Sequence, residues 1–122
     1  MKIGDLNPKN YVLNEIRENN LLILAGVMTE LEGIYGRPFL VTSGIRSVED
    51  QLRVDPDHPN SAHISGQAVD VKDPDNDVWG FVKSTLPTIQ RLGLYVENKK
   101  YYMTHVHFTT RRPTSGHTIF IA

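Results

Sequence analysis

Between residues 20 and 35 the chain carries one apolar stripe of helical period, and that stripe constrains what the rest can build. Leu21, Leu24, Ala25, Met28, Leu31 and Tyr35 recur at three- and four-residue spacing, which predicts a helix beginning at about Asn14 or Asn20 and running to Tyr35. Gly36, followed by Pro38, stops it. A helix with one apolar face has to bury that face against another element. The segments after Pro38 supply short candidates for that element. The expected fold is therefore α+β, a small, mainly antiparallel sheet packed on two helices in a single domain over residues 1–122.

The other elements follow from local signals. Residues 1–13 read as an extended lead-in with a turn at Asn7-Pro8. Phe39-Leu40-Val41-Thr42 is a short buried strand ending at Ser43-Gly44. Ser47 with Asp50 three residues on resembles a capping box, so a short helix is expected over 48–53. Asp55 to Asn60 is a loop. Gln67 to Val71 reads as a strand with Ala68 and Asp70 on one face and Gln67, Val69 and Val71 on the other. After a turn at Asp73–Asn76, a second helix carries Val78, Phe81, Val82 and Leu86 until Pro87 kinks or ends it. Leu94 to Glu97, a turn at Asn98-Lys99, and Lys100 to Thr109 predict a β-hairpin. The tail closes on the apolar Ile119-Phe120-Ile121.

Composition narrows the chemistry. The 122 residues include no cysteine, so the fold does without disulfides and any metal site draws on His, Asp, Glu and backbone oxygen. The net charge is −1, and Lys99-Lys100 and Arg111-Arg112 are the densest cationic pairs, too little for a nucleic-acid footprint. The most apolar run, Leu21 to Met28, is too short to span a bilayer, so no membrane partner is expected. Met1-Lys2-Ile3-Gly4-Asp5 lacks the apolar core of a secretory leader. The expectation is a monomer made in the cytoplasm without a signal peptide and, if it acts on cell wall, delivered there by something else.

Four segments lie close to the expected sheet: Ser43–Ser47, Ser61–Asp70, His105-Val106-His107, and Pro113–Gly116. His63 sits in a Gly-containing turn just before a strand that carries Asp70. His105 and His107 alternate across Val106, so on a strand both imidazoles address one face. An Asp opposite two valines is costly to bury without a partner. Imidazole nitrogen and carboxylate oxygen are both good zinc donors, and three protein ligands with an open fourth position mark a catalytic zinc. By contrast, His58 and His117 stand alone and read as surface or hydrogen-bonded residues.

The segment Ser61-x-His63-x-x-Gly66-x-Ala68-x-Asp70 resembles the first zinc signature of the M15 peptidases, a family that includes D-Ala-D-Ala carboxypeptidases, dipeptidases and phage L-alanyl-D-glutamate endopeptidases. His105-x-His107 is similar to the second signature of the wider group joining these enzymes with murein endopeptidases and the hedgehog domain. Thr42-Ser43-Gly44-Ile45-Arg46-Ser47 resembles the family's S-G-x-R-S segment. The resemblance runs in order over about residues 36–110 and is closest to the compact phage and prophage members, including endolysins.

That resemblance implies one zinc ion per chain on His63, Asp70 and His107. It implies that His105 handles protons or steadies the transition state beside the metal, and that Arg46 holds a substrate carboxylate or the developing oxyanion. Ser61 is placed at the rim, as a substrate hydrogen-bond partner or as a turn-former ahead of His63. The implied activity is hydrolysis of a peptide bond near D-amino acids in peptidoglycan stem peptides, as carboxypeptidase or endopeptidase. The implied place of action is the cell wall, the periplasm or a phage particle. One position departs from the pattern. Many M15 peptidases carry Glu or Asp three residues before the last zinc histidine, and here Thr104 stands there. Proton transfer then falls to His105, to Glu97 or to Asp73, or the site belongs to a zinc-binding wall or phage-particle module with little turnover.

Overall fold

The computed structural model describes residues 1–121. Its first element corrects the extended lead-in: Ile3–Leu6 form a helical turn, α1, with Leu6 fully buried. Asp5 caps the start of α1 by accepting from Lys2 N at 2.9 Å, and a long-range contact holds its end: the Leu6 carbonyl accepts a hydrogen bond of 2.8 Å from Ile45 N.

Helix α2 (Glu15–Tyr35) takes the earlier of the two expected starts, Asn14, and ends at Tyr35 as expected. Asn14 caps it by accepting from Arg17 N at 2.9 Å, and Gly36 ends it at φ +93°, a conformation that suits glycine. Its stripe of Leu21, Leu24, Met28 and Leu31 is fully buried. Strand β1 (Val41–Ser43) and helix α3 (Val48–Val54) follow, the latter capped by Ser47 Oγ accepting from Asp50 N at 3.0 Å. Strand β2 (Ala68–Lys72) lies within a residue of its expected bounds.

The second predicted helix divides into α4 (Asp77–Ser84) and α5 (Leu86–Arg91), because Pro87 can only sit in a helix's first turn. The hairpin strands β3 (Tyr95–Glu97) and β4 (His105–Thr109) pair antiparallel as expected, but the connection runs over residues 98–104, longer than the predicted two-residue turn. Lys99 explains the difference. Its ammonium is drawn inside by Asp73 Oδ2 at 3.1 Å and Asn76 Oδ1 at 2.7 Å, which pulls the chain off the sheet. The tail forms β5 (Ile119–Phe120).

The strands make one sheet in the order β1-β2-β4-β3-β5, antiparallel except for β5, which runs parallel to β3. Alternation then separates its faces. Val69, Val71, Val96, Val106 and Phe108 turn to the core and join the α2 stripe. Truncating a fully buried leucine of that core costs about 2–5 kcal/mol. The opposite face carries Ala68, Asp70, His105, His107 and Thr109, and it is on this face that the polar chemistry collects. Among the described residues no helix is long and apolar enough to cross a membrane.

Candidate metal centre

The register of β2 on β4 sets Asp70 directly opposite His107 and Lys72 opposite His105. Asp70 Oδ1 lies 2.8 Å from His107 Nδ1, across the pair. Between Val41 and Ser43 the pairing of β1 with β2 shifts by one residue, which brings Ser43 alongside Asp70. The third group arrives from a loop. The segment 61–67 turns over the polar face and returns to β2 through Gly66 at φ +76°, where a side chain would meet Arg17 O at 3.0 Å. His63 from this loop places Nε2 3.3 Å from Asp70 Oδ2.

The loop is tied down by residues that local sequence patterns did not single out. Arg17 Nε donates to Ile64 O at 2.9 Å, and Asn20 Nδ2 donates to Ser65 O at 2.9 Å, both from the first turns of α2 on the face that the Leu21 stripe continues. Arg111 donates to Asn60 O at 2.7 Å and to Ser65 Oγ at 2.8 Å. The only signal for Arg17 and Asn20 was their place one turn and one residue ahead of Leu21, which says nothing about what they touch.

The His63 ring itself is fixed by a main-chain carbonyl. His63 Nδ1 lies 2.8 Å from Gly44 O, and since a carbonyl only accepts, Nδ1–H is the donor and Nε2 is the ring atom turned toward Asp70. Gly44 can be nothing larger, because a Cβ there would stand 2.2 Å from Leu6 O. The helical turn α1 thus reaches the site through one close backbone approach.

His63, Asp70 and His107 each present a donor atom, and the three atoms lie within 4.8 Å of one another. Asp70 is nearly buried and has four cationic or potentially cationic neighbours: His63, His107, His105 Nε2 at 3.9 Å, and Arg46 at 3.7 Å. Burial by itself pushes its carboxyl up. Hydrogen bonds from His107 and His63, with the charge on those rings, reverse this and hold it far below the usual carboxylate range. A dry carboxylate aimed at two imidazoles fits zinc, since two nitrogens and one oxygen are its usual donors, whereas magnesium and calcium favour all-oxygen shells. Carbonyl support behind His63 is the usual outer partner of a metal-binding imidazole.

The remaining expected residues also reach this place. His105 is about one-third exposed on the same strand face as His107. Arg46 donates Nε and Nη2 to Ser43 Oγ at 3.1 and 2.8 Å and Nη1 to Gln51 Oε1 at 2.9 Å, leaving two of its five N–H donors for other partners. Ser61 Oγ accepts from His63 N at 3.2 Å, which is the turn-forming role. All of them line a cleft of about 700 Å³ with the three donors at its floor. His58 lies at the rim on Asp55, whose hydrogen bond raises the His58 pKa. His117 is exposed and lies outside the cleft lining. Asp73 belongs elsewhere: it is buried, accepts from Val78 N and Trp79 N at 2.9 Å each, and pairs with Lys99.

A family model described as Peptidase M15 matches residues 7–108, a span that takes in every residue of this centre. No curated protein and no solved structure matches the chain.

Proposed function

The chain belongs to the M15 peptidase family, and from that premise we propose that it hydrolyses a peptide bond in peptidoglycan stem peptides, near D-amino acids, with one zinc ion held by His63, Asp70 and His107. The observation that carries this reading is the His63–Asp70–His107 cluster, with His63 and Asp70 buried and His107 partly open, at the floor of an open cleft. A structural metal site would be closed on all sides, whereas this one opens onto room for a ligand.

When bound, zinc supplies Lewis acidity, which polarises a carbonyl and makes water nucleophilic near neutral pH. The side chains supply the rest. Asp70 and the fixed Nε2 of His63 hold their orientation before any substrate arrives, so little reorganisation accompanies reaction. His105, on the open side, donates a ring N–H to the scissile carbonyl oxygen as that oxygen gains negative charge. Arg46 offers its free donors to the same oxygen or to a substrate carboxylate, for which a planar fork is well matched. Ser61 accepts or donates one hydrogen bond to the peptide at the rim.

In this reading the protein works as a monomer, in the cell wall, the periplasm or a phage particle, and not on nucleic acid or membrane. The test is digestion of purified peptidoglycan by zinc-loaded protein, with the new amino and carboxyl ends identified by mass spectrometry and a chelated sample as control. New ends that vanish on chelation are expected. Zinc-loaded protein that sediments with the wall and releases nothing would instead mark a wall-binding module.

A further inference from the structure

Amide hydrolysis needs a group that takes a proton from the attacking water and returns it to the leaving nitrogen. Four carboxylates line the cleft: Asp55, Asp57, Asp70 and Glu97. Three are ill suited. Asp70 is spoken for by His63 and His107. Asp55 holds His58 Nδ1 at 2.8 Å, out at the rim. Asp57 is an exposed residue of the same rim loop.

Glu97 differs from these in placement and in partners. It is the last residue of β3, next to Val96, which is fully buried and pairs with Phe108 of β4. Carrying the register one step on sets Glu97 beside His107, and alternation turns its side chain away from the core onto the face that holds Asp70 and both histidines. Its backbone is held from the other side too: Val96 N donates to Thr118 O at 2.7 Å and Asn98 N to Phe120 O at 2.8 Å. Phe120, the register partner of Glu97 on β5, lies with its ring centroid 6.4 Å from that of His107. Glu97 is half-buried, and among the described residues its carboxylate makes no hydrogen bond and no ion pair. The other acid named from the sequence, Asp73, is buried on Lys99 and two amides of α4, away from the cleft.

We propose that Glu97 is the proton-transferring carboxylate of this site, an assignment that rests on the peptidase reading above. In the step it serves, the oxygen of one water bonds to the scissile carbonyl carbon while Glu97 takes one of that water's protons. The carbon–nitrogen bond then breaks with its electron pair going to nitrogen, and Glu97 delivers the proton there. The amine leaves, the new carboxylic acid keeps the water oxygen, and Glu97 ends ionised as it began.

The experiment compares zinc-loaded full-length wild type, Glu97→Gln and Glu97→Ala on a purified stem peptide. Turnover, zinc per chain and calorimetric affinity for the peptide are measured, with and without added formate. The expected result is full zinc and unchanged peptide affinity in both variants, with turnover lowered by about 10²–10⁴-fold. Formate, a carboxylate small enough for the space the side chain leaves, should restore part of the activity of Glu97→Ala and none of that of Glu97→Gln. Wild-type turnover in zinc-loaded Glu97→Gln would overturn the assignment, and so would losses that follow zinc content and ignore formate. A zinc-loaded wild type with no turnover would overturn the peptidase reading, and the role of Glu97 with it.

Discussion

Gly44→Ala reaches the metal centre without touching a donor atom. An added Cβ would lie 2.2 Å from Leu6 O, 2.7 Å from Leu6 C and 3.1 Å from Leu6 Cα, all main chain and none able to swing aside. Backbone must part by roughly 1 Å to reach ordinary contact. Overpacking of this kind costs about 1–3 kcal/mol. The Ile45 N–Leu6 O hydrogen bond, 2.8 Å in the native chain, stretches or breaks with it. The same shift moves Gly44 O, the acceptor that orients His63. Outer partners of metal ligands are worth about 10–100-fold in affinity, so zinc should bind Gly44→Ala weaker by that factor. The assay is competition with a fluorescent chelator, alongside thermal melting of the metal-free protein, whose Tm should fall by several degrees. Gly33→Ala is the control. It lies in α2 with nothing within 4 Å of the new Cβ, so it should raise stability by about 0.5–1 kcal/mol and leave zinc affinity alone. Wild-type zinc affinity in Gly44→Ala, or an equal loss in Gly33→Ala, would refute the route from α1 through Gly44 to His63.

Asp70→Ala should lose metal far more readily than His105→Ala, because Asp70 lies within hydrogen-bond reach of two imidazoles while His105 stays 3.9 Å off and open to solvent; zinc content after dialysis decides it. Arg46→Lys should keep fold and zinc yet lose most activity, since an ammonium cannot span Ser43 and Gln51 and still offer a fork to substrate; undiminished turnover would make Arg46 a purely structural residue. Thr104→Glu should bring no gain in rate, because β4 pairs with β2 without a bulge from His105 to Thr109 and residue 104 therefore faces away from the two histidines; a gain of tenfold or more would show that the segment ahead of His105 twists toward the cleft. Zinc should leave as pH falls, since ligands bind deprotonated. Against the penalty of burial, hydrogen bonds from His107 and His63 hold the Asp70 carboxyl below its ordinary range, so its contribution persists above and through that range; zinc content unchanged by pH down to about pH 4 would contradict the expected loss.

Local chemistry made much of this protein legible in its sequence. The α2 stripe with Asn14 ahead and Gly36 behind is a statement about period and caps, both properties of a few neighbouring residues. Likewise Asp70 opposite Val69 and Val71, and His105 with His107 across Val106, follow from the two-residue alternation of any strand. What those patterns lacked was the partner. Only the pairing of β2 with β4 puts Asp70 across from His107, and only Arg17, Asn20 and Arg111, from 45 to 51 residues away from the backbone and side chains they hold in the His63 loop, tie that loop over the same face. Helix α1 replaced an extended lead-in in part for a like reason: Asp5 caps its start locally, but the Leu6 carbonyl at its end is anchored on Ile45, and no local signal records that. The two acids left open, Asp73 and Glu97, look alike in sequence, each an acidic residue beside a turn. Tertiary structure separates them. Lys99 and the start of α4 enclose one away from the cleft, and alternation on β3 turns the other toward it, because burial and pairing depend on what the rest of the chain brings near.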